Sequence, residues 1–353
     1  MANDTPPLEI PTKASPVRSR RRQLIGGGIA LVVIVAIFFF VLPRIADYRD
    51  VWGVVKTLTW KGLLALAVAS VVNLLTYAPP WQAALPGLRF RQAFVVTQAS
   101  TASTYVAPGG AAPGMAVSFA MLRGWGFSGR PVALAVTITG VWNQLVIFGF
   151  PAIALGLLTM EGGDNPLLKT MALVGSAVLG GVVVGLVIGF WSAQLAQKVG
   201  DLAARLVSWL KRVVRRGSVK WDGEAFVRFR EETIGLLRRR WHVITLATLA
   251  GHLSVFAVLL VSLRVLDVPA SEVTWIEAFA AWSVMRVIGS LPITPGGLGI
   301  VELGLTSLLV GFGGGQAEVV AAVLVYRFLT IVPTLLLGMA AAATWRRHQP
   351  ADT

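Results

Sequence analysis

From Leu24 to Leu42, Gly62 to Leu88, Gln92 to Leu122, Pro131 to Met160 and Thr170 to Gln197 the chain runs without a single charged residue. A run of about 20 apolar residues matches the hydrocarbon thickness of a bilayer, so a chain with several cannot close as a water-soluble domain. Short alternating strands of the kind that build a transmembrane barrel are missing. The expected fold class is therefore an all-α polytopic integral membrane protein. Composition agrees: 14% of the residues are charged, where soluble domains carry about a quarter. The absence of cysteine excludes disulfides, thiolate metal sites and Cys nucleophiles, and the scattered His242, His252 and His348 cannot assemble a zinc cluster. The sequence calls for no metal and no cofactor.

The net charge of +14 reports sidedness. With the amino terminus in the cytoplasm and spans at 24–42, 62–79, 131–158, 170–191, 243–263 and 319–344, most of the 31 Lys and Arg fall inside, densest in 192–242. That is the positive-inside asymmetry. It places both termini in the cytoplasm of a bacterial inner membrane and explains the basic balance by anionic headgroups, with no nucleic acid partner. Arg18, Arg20, Arg21 and Arg22 precede a long apolar run without a clear cleavage site, which is expected to remain as an anchor.

Two apolar segments are broken by proline and glycine. One is centred on Pro108-Gly109-Gly110 and continues to Pro113-Gly114; the other on Pro292 and Pro295-Gly296-Gly297-Leu298-Gly299. Proline removes a helix donor and glycine permits left-handed backbone, so a helix must break at each cluster. Each break is expected to be the tip of a re-entrant hairpin, tolerable at membrane depth only where protein or water covers the open backbone. Two ordinary helices joined by a surface turn remain an alternative.

The resulting organisation is a disordered basic tail over 1–23 and a first membrane repeat over 24–191 with a hairpin at 92–122. A cytoplasmic amphipathic linker covers 192–242, in which Leu195, Val199, Leu202, Leu206, Trp209 and Val213 share one helix face. The second repeat begins at 170 and continues over 243–345 with a hairpin at 275–311, followed by a cytoplasmic tail at 346–353. Six full spans and two Pro-Gly-Gly hairpins entering from opposite sides form an inverted-topology repeat, an arrangement that places a binding site near the midplane.

Arg286, Glu302 and Arg327 are charges at membrane depth. Each costs at least about 2.5 to 3.5 kcal/mol to insert, so pairing or a wet cavity is expected, with Glu302 joined to Arg327 or to Arg286. The amides around Gly296, Gly297 and Gly299 and around Gly109 and Gly110 could form anion-binding concavities beside Pro295 and Pro108. Among the polar uncharged residues at depth, including Asn73, Gln98, Asn143 and Gln144, His252 reads as an interhelical hydrogen bonder. No Ser-His-Asp set, paired carboxylates or phosphate loop argues for bond-making catalysis.

The string Pro295-Gly296-Gly297-Leu298-Gly299-Ile300-Val301-Glu302, followed by Tyr326-Arg327-Phe328 and Pro333, resembles the flippase-like membrane family that includes the UPF0104 proteins and the transmembrane region of lysylphosphatidylglycerol synthase. Leu122-Arg123 and Gly126 match that family's exit from the first Pro/Gly element. Ala111 to Met115 depart from it by carrying no charge. The resemblance implies lipid translocation between leaflets; the synthase's aminoacyl transfer belongs to a soluble domain for which these residues leave no room. The expected function is transport of membrane lipid, an anionic phospholipid or a polyprenyl-phosphate-linked lipid, by alternating access. Arg286 and Arg327 would meet phosphate while Glu302 supplies a counter-charge or proton coupling. The alternative is a non-transporting scaffold or regulator of a cell-envelope lipid- or glycan-modifying enzyme.

Overall fold

A computed structural model of the chain describes residues 56–107, 111–160, 223–291 and 294–345, with isolated helical positions at Gly53 and between Pro166 and Gly185. The span expected over 24–42, most of that over 170–191, the amphipathic face at 195–213, both tails and the first tip, Pro108 to Gly110, lie outside the described residues. Every regular element among the described residues is helical. In chain order they are α1 (Trp60–Thr76), α2 (Pro79–Ala84), α3 (Phe90–Val106), α4 (Ala112–Gly124), α5 (Gly129–Met160), α6 (Gly223–Val265), α7 (Trp275–Ser290), a 3₁₀ turn (Pro295–Gly297), α8 (Ile300–Gly311) and α9 (Gln316–Thr344).

Four segments are long and apolar enough to cross a bilayer: Trp60–Ala84, Gly129–Met160, Arg230–Val265 and Gln316–Thr344. The arms of the two broken segments are shorter, α3 and α4 with 17 and 13 residues, α7 and α8 with 16 and 12. At 1.5 Å per residue each rises no more than about 26 Å, short of the ~30 Å hydrocarbon core. The breaks share a local cause. Ala107 precedes Pro108 and Leu291 precedes Pro292, and the proline ring forces the preceding residue out of the helical region. Both residues are extended, with ψ of 138° and 141°.

Starts are equally local. Thr59 caps α1 by accepting the Gly62 amide at 3.2 Å, and Thr274 with Glu277 forms a reciprocal capping box at the start of α7. α6 runs unbroken from Gly223 through 242, so the end of the expected 192–242 linker and the following span are one helix.

The arms of each broken segment pack on each other, α3 on α4 and α7 on α8. Across the molecule α3 packs on α9 and α7 on α5, while α1 pairs with α6. The α3–α9 contact is close: a Cβ at Gly338 would lie 2.7 Å from the Gln98 carbonyl oxygen. Phe150, Phe256, Phe279 and Trp282 pack ring to ring at 5.1–5.8 Å between α5, α6 and α7, anchoring the larger core. On α1, Leu66, Ser70 and Asn73 are buried, whereas Trp60, Leu63, Leu64, Val68 and Val71 are exposed, as a lipid-facing stripe must be.

Candidate functional site

Between the two broken segments lies a cavity of about 630 Å³, lined by Gln98, Thr104 and Tyr105 of α3, Asn143 of α5, Arg286 of α7 and Arg327 of α9. At one edge the backbone after α7 turns through Gly296, Gly297 and Gly299 with φ of +62°, +69° and +84°. These left-handed values favour glycine over any side chain. Gly296 faces a second constraint, because a Cβ there would run into the Tyr105 ring of α3. The tip of the second segment is thus packed against the first.

Of the two partners open to Glu302, the structure pairs it with Arg327. Arg327 Nε donates to Glu302 Oε1 at 2.5 Å, and Arg327 Nη2 donates to the Gly296 carbonyl at 3.1 Å. Glu302 Oε2 accepts the Gly299 amide at 2.7 Å. Both side chains are buried, Glu302 at 2% and Arg327 at 8% exposure. The Glu302 carboxylate therefore occupies the positive end of α8 and closes the tip onto α9. This revises one expectation. The Gly299 amide is taken by Glu302, and the Gly297 amide donates to the Thr294 carbonyl at 3.1 Å, so neither is free for an incoming anion. Pro295 sits in the 3₁₀ turn; Pro108, Gly109 and Gly110 lie outside the described residues.

Arg286 is placed differently. Its Nη2 donates to His252 Nδ1 at 2.9 Å and reaches the Tyr77 hydroxyl at 3.5 Å. The guanidinium lies 5.7 Å from the Trp282 ring centre, and its buried Nε has no hydrogen-bond partner. Because a guanidinium only donates, His252 accepts at Nδ1 and donates from Nε2 to Asn143 Oδ1, 3.0 Å away. These partners are neutral. The charge of Arg327 is balanced by Glu302, whereas that of Arg286 faces the cavity without a carboxylate among the described residues that line it.

His252 is fully buried and links α6 to α5 and α7, the interhelical role its sequence position suggested. Tyr77, at the end of α1, was not singled out by sequence; it has no charge and sits beside Pro79-Pro80, a loop signal that hides its reach into the membrane.

The broken α7–α8 element with Glu302 answered by Arg327 on the last helix is the part most specific to a family. The family model of the lysylphosphatidylglycerol synthase transmembrane region matches residues 27–338. The chain belongs to that family. No curated protein matches it. Membership together with the four apolar spans makes the chain a multi-pass membrane protein, helical throughout the regular elements of its described residues. The matched region takes in both broken segments, the cavity and the three charges Arg286, Glu302 and Arg327.

Proposed function

We propose that the protein carries an anionic lipid, a phospholipid or a polyprenyl-phosphate-linked lipid, between leaflets of a bacterial inner membrane, without making or breaking bonds in it. The observation that supports this best is Arg286. A guanidinium at membrane depth with neutral partners carries a desolvation cost that an incoming anion would offset. It lies in the wall of a cavity large enough for a lipid headgroup.

The packing pattern supports the means. If α1, α3, α4 and α5 correspond to α6, α7, α8 and α9, then α3–α9 matches α7–α5, α1–α9 matches α6–α5, and the two hairpin pairs match each other. Such an exchange of partners is what two inverted repeats produce, and it lets one half rock against the other around a central site. On this reading both broken segments are re-entrant, both termini are cytoplasmic, and the Glu302–Arg327 pair holds the second tip shut while Arg286 meets the phosphate.

The test is reconstitution of the purified protein in vesicles with a fluorescently labelled anionic lipid and a membrane-impermeant quencher. Wild type should move label between leaflets, and Arg286→Gln, still monodisperse and folded, should not. Undiminished movement in that variant would remove the mechanism. A protein serving only as a scaffold for an envelope enzyme would move no lipid in protein-only vesicles.

A further inference from the structure

Four hydroxyls of the cavity wall share one hydrogen-bonding sense. A hydroxyl has one proton to give and two lone pairs to receive, and in these four the proton is already given away. Ser100 donates to the Thr97 carbonyl at 3.0 Å and Thr104 to that of Ser100 at 3.1 Å. Thr139 donates to Ala135 at 2.8 Å and Thr330 to Tyr326 at 2.9 Å. All four residues line the cavity, which leaves these oxygens acceptors toward its interior.

Gln98 adds a stronger sign. It is 2% exposed and lines the cavity. Its Nε2 donates to the Leu74 carbonyl at 3.3 Å, which fixes the amide orientation, since the reverse would set two oxygens against each other. Its Oε1 is buried and has no partner. A buried acceptor left unsatisfied costs about 1 to 3 kcal/mol, a cost that a ligand donor would relieve.

The formal charge is equally defined. Arg286 contributes one positive charge, and that of Arg327 is cancelled by Glu302, whose two oxygens are engaged by Arg327 and the Gly299 amide. One anionic charge on the ligand matches this, and no carboxylate among the described lining residues remains to receive an ammonium.

We infer that the cavity selects a monoanionic phosphodiester lipid whose headgroup carries free hydroxyls, either a phosphoglycerol lipid or a polyprenyl-linked glycosyl phosphate. The phosphate engages Arg286 through the vacant Nε, and the headgroup hydroxyls donate to Gln98 Oε1 and the acceptor-lined wall of α3 and α9. The inference rests on the transport reading and narrows its substrate.

Binding to the full chain in detergent, measured by native mass spectrometry titration, separates the possibilities. Phosphatidylglycerol and phosphatidylmethanol have the same charge and differ in headgroup hydroxyls; polyprenyl phosphoglucose and polyprenyl methyl phosphate form the matching pair. At least one hydroxylated lipid should bind tenfold or more tightly than its hydroxyl-free counterpart, and phosphatidylethanolamine should bind more weakly than phosphatidylglycerol. Which hydroxylated lipid shows the preference identifies the source. Gln98→Met, or Thr104→Val should the first fail to fold, should erase most of the preference while leaving the hydroxyl-free lipids within about twofold. Arg286→Gln should weaken both members of a pair alike. Equal binding within both pairs, with Arg286 still required, would overturn the headgroup assignment and leave the transport reading standing. Binding indifferent to Arg286 would overturn both.

Discussion

Replacing Glu302 by glutamine removes one charge from a buried pair and little else. Glutamine keeps an oxygen that can accept the Gly299 amide, so the cap on α8 survives. Arg327, 8% exposed, is left with the Gly296 carbonyl as the acceptor in place of a counter-ion. Breaking one partner of a buried ion pair costs about 3 to 5 kcal/mol, because the remaining charge stays desolvated. The reverse substitution, Arg327→Gln, should cost less. The orphaned carboxylate still accepts the Gly299 amide at 2.7 Å and sits in the first turn of α8, where the helix dipole favours an anion by about 0.3 to 1 kcal/mol, and up to ~2 when partly buried. The double variant carries no buried charge and should recover most of the loss. Unfolding in detergent followed by tryptophan fluorescence would measure all three. The expected order of stability is wild type, then the double variant, then Arg327→Gln, then Glu302→Gln, with a coupling energy of at least about 2 kcal/mol. Glu302→Gln as stable as wild type, or a double variant whose loss is the sum of the singles, would refute a closed, desolvated pair.

Other perturbations address the tip, the helix contacts and the depth of the breaks. Gly296→Ala should destabilise by more than the roughly 1 kcal/mol that a left-handed alanine costs, because the methyl group meets Tyr105; Tyr105→Ala in the same chain should restore part of the loss in a thermal melt. Gly338→Leu forces α9 off α3 at the Gln98 carbonyl and should cost about 1 to 3 kcal/mol by overpacking, lowering the detergent melting temperature. His252→Phe keeps a ring but removes the Nδ1 acceptor of Arg286 and the Nε2 donor to Asn143; vesicle transport should fall at least tenfold while expression and gel-filtration profile are retained. Since the chain has no cysteine, single cysteines can map depth directly: Ala111→Cys and Leu291→Cys beside the breaks should react with an impermeant maleimide far more slowly than Ser271→Cys in the α6–α7 loop. Equal rates would identify a break as an ordinary surface turn.

Much of this fold is legible because its signals are local. The pre-proline rule alone dictates where α3 and α7 stop, and the arms at Phe90–Val106, Ala112–Gly124, Trp275–Ser290 and Ile300–Gly311 follow the bounds 92–122 and 275–311 read from apolar runs broken by proline and glycine. The insertion cost of a bare charge likewise marks Arg286, Glu302 and Arg327 without reference to structure. What composition could not decide was which arginine answers Glu302. That depends on the register between α8 and α9, a contact across 25 positions, whereas Tyr77 and Arg286 meet across 209. The Gly299 amide was hidden for a related reason: the carboxylate that accepts it at the start of α8 comes from that helix's own first turn.

The placement of these contacts bears on how the protein would move. Glu302, Arg327 and the Gly296 carbonyl all belong to the segment from α7 to α9, so on the proposed transport reading a rocking of the two halves would leave that pair intact, and the pair would stiffen the second tip throughout a cycle. Arg286 is held differently. His252 comes from α6, but Tyr77 and Asn143 come from the first half, at the ends of hydrogen bonds of 3.5 Å and 3.0 Å. Rotation of one half against the other strains the bonds around Arg286 and spares the bonds around Arg327. A ligand phosphate held at the vacant Arg286 Nε would draw the guanidinium away from its 3.5 Å contact with Tyr77 and so weaken the link between the halves when cargo is bound, and in its absence the Tyr77–Arg286–His252–Asn143 chain would hold them together. Such a device predicts that Tyr77→Phe combined with Asn143→Leu, which cuts both links to the first half without touching Arg286 or His252, raises lipid-independent exchange between the two open forms. That exchange can be read as a change in distance between spin labels on α4 and α8, and a distance distribution identical to wild type in the absence of lipid would exclude it.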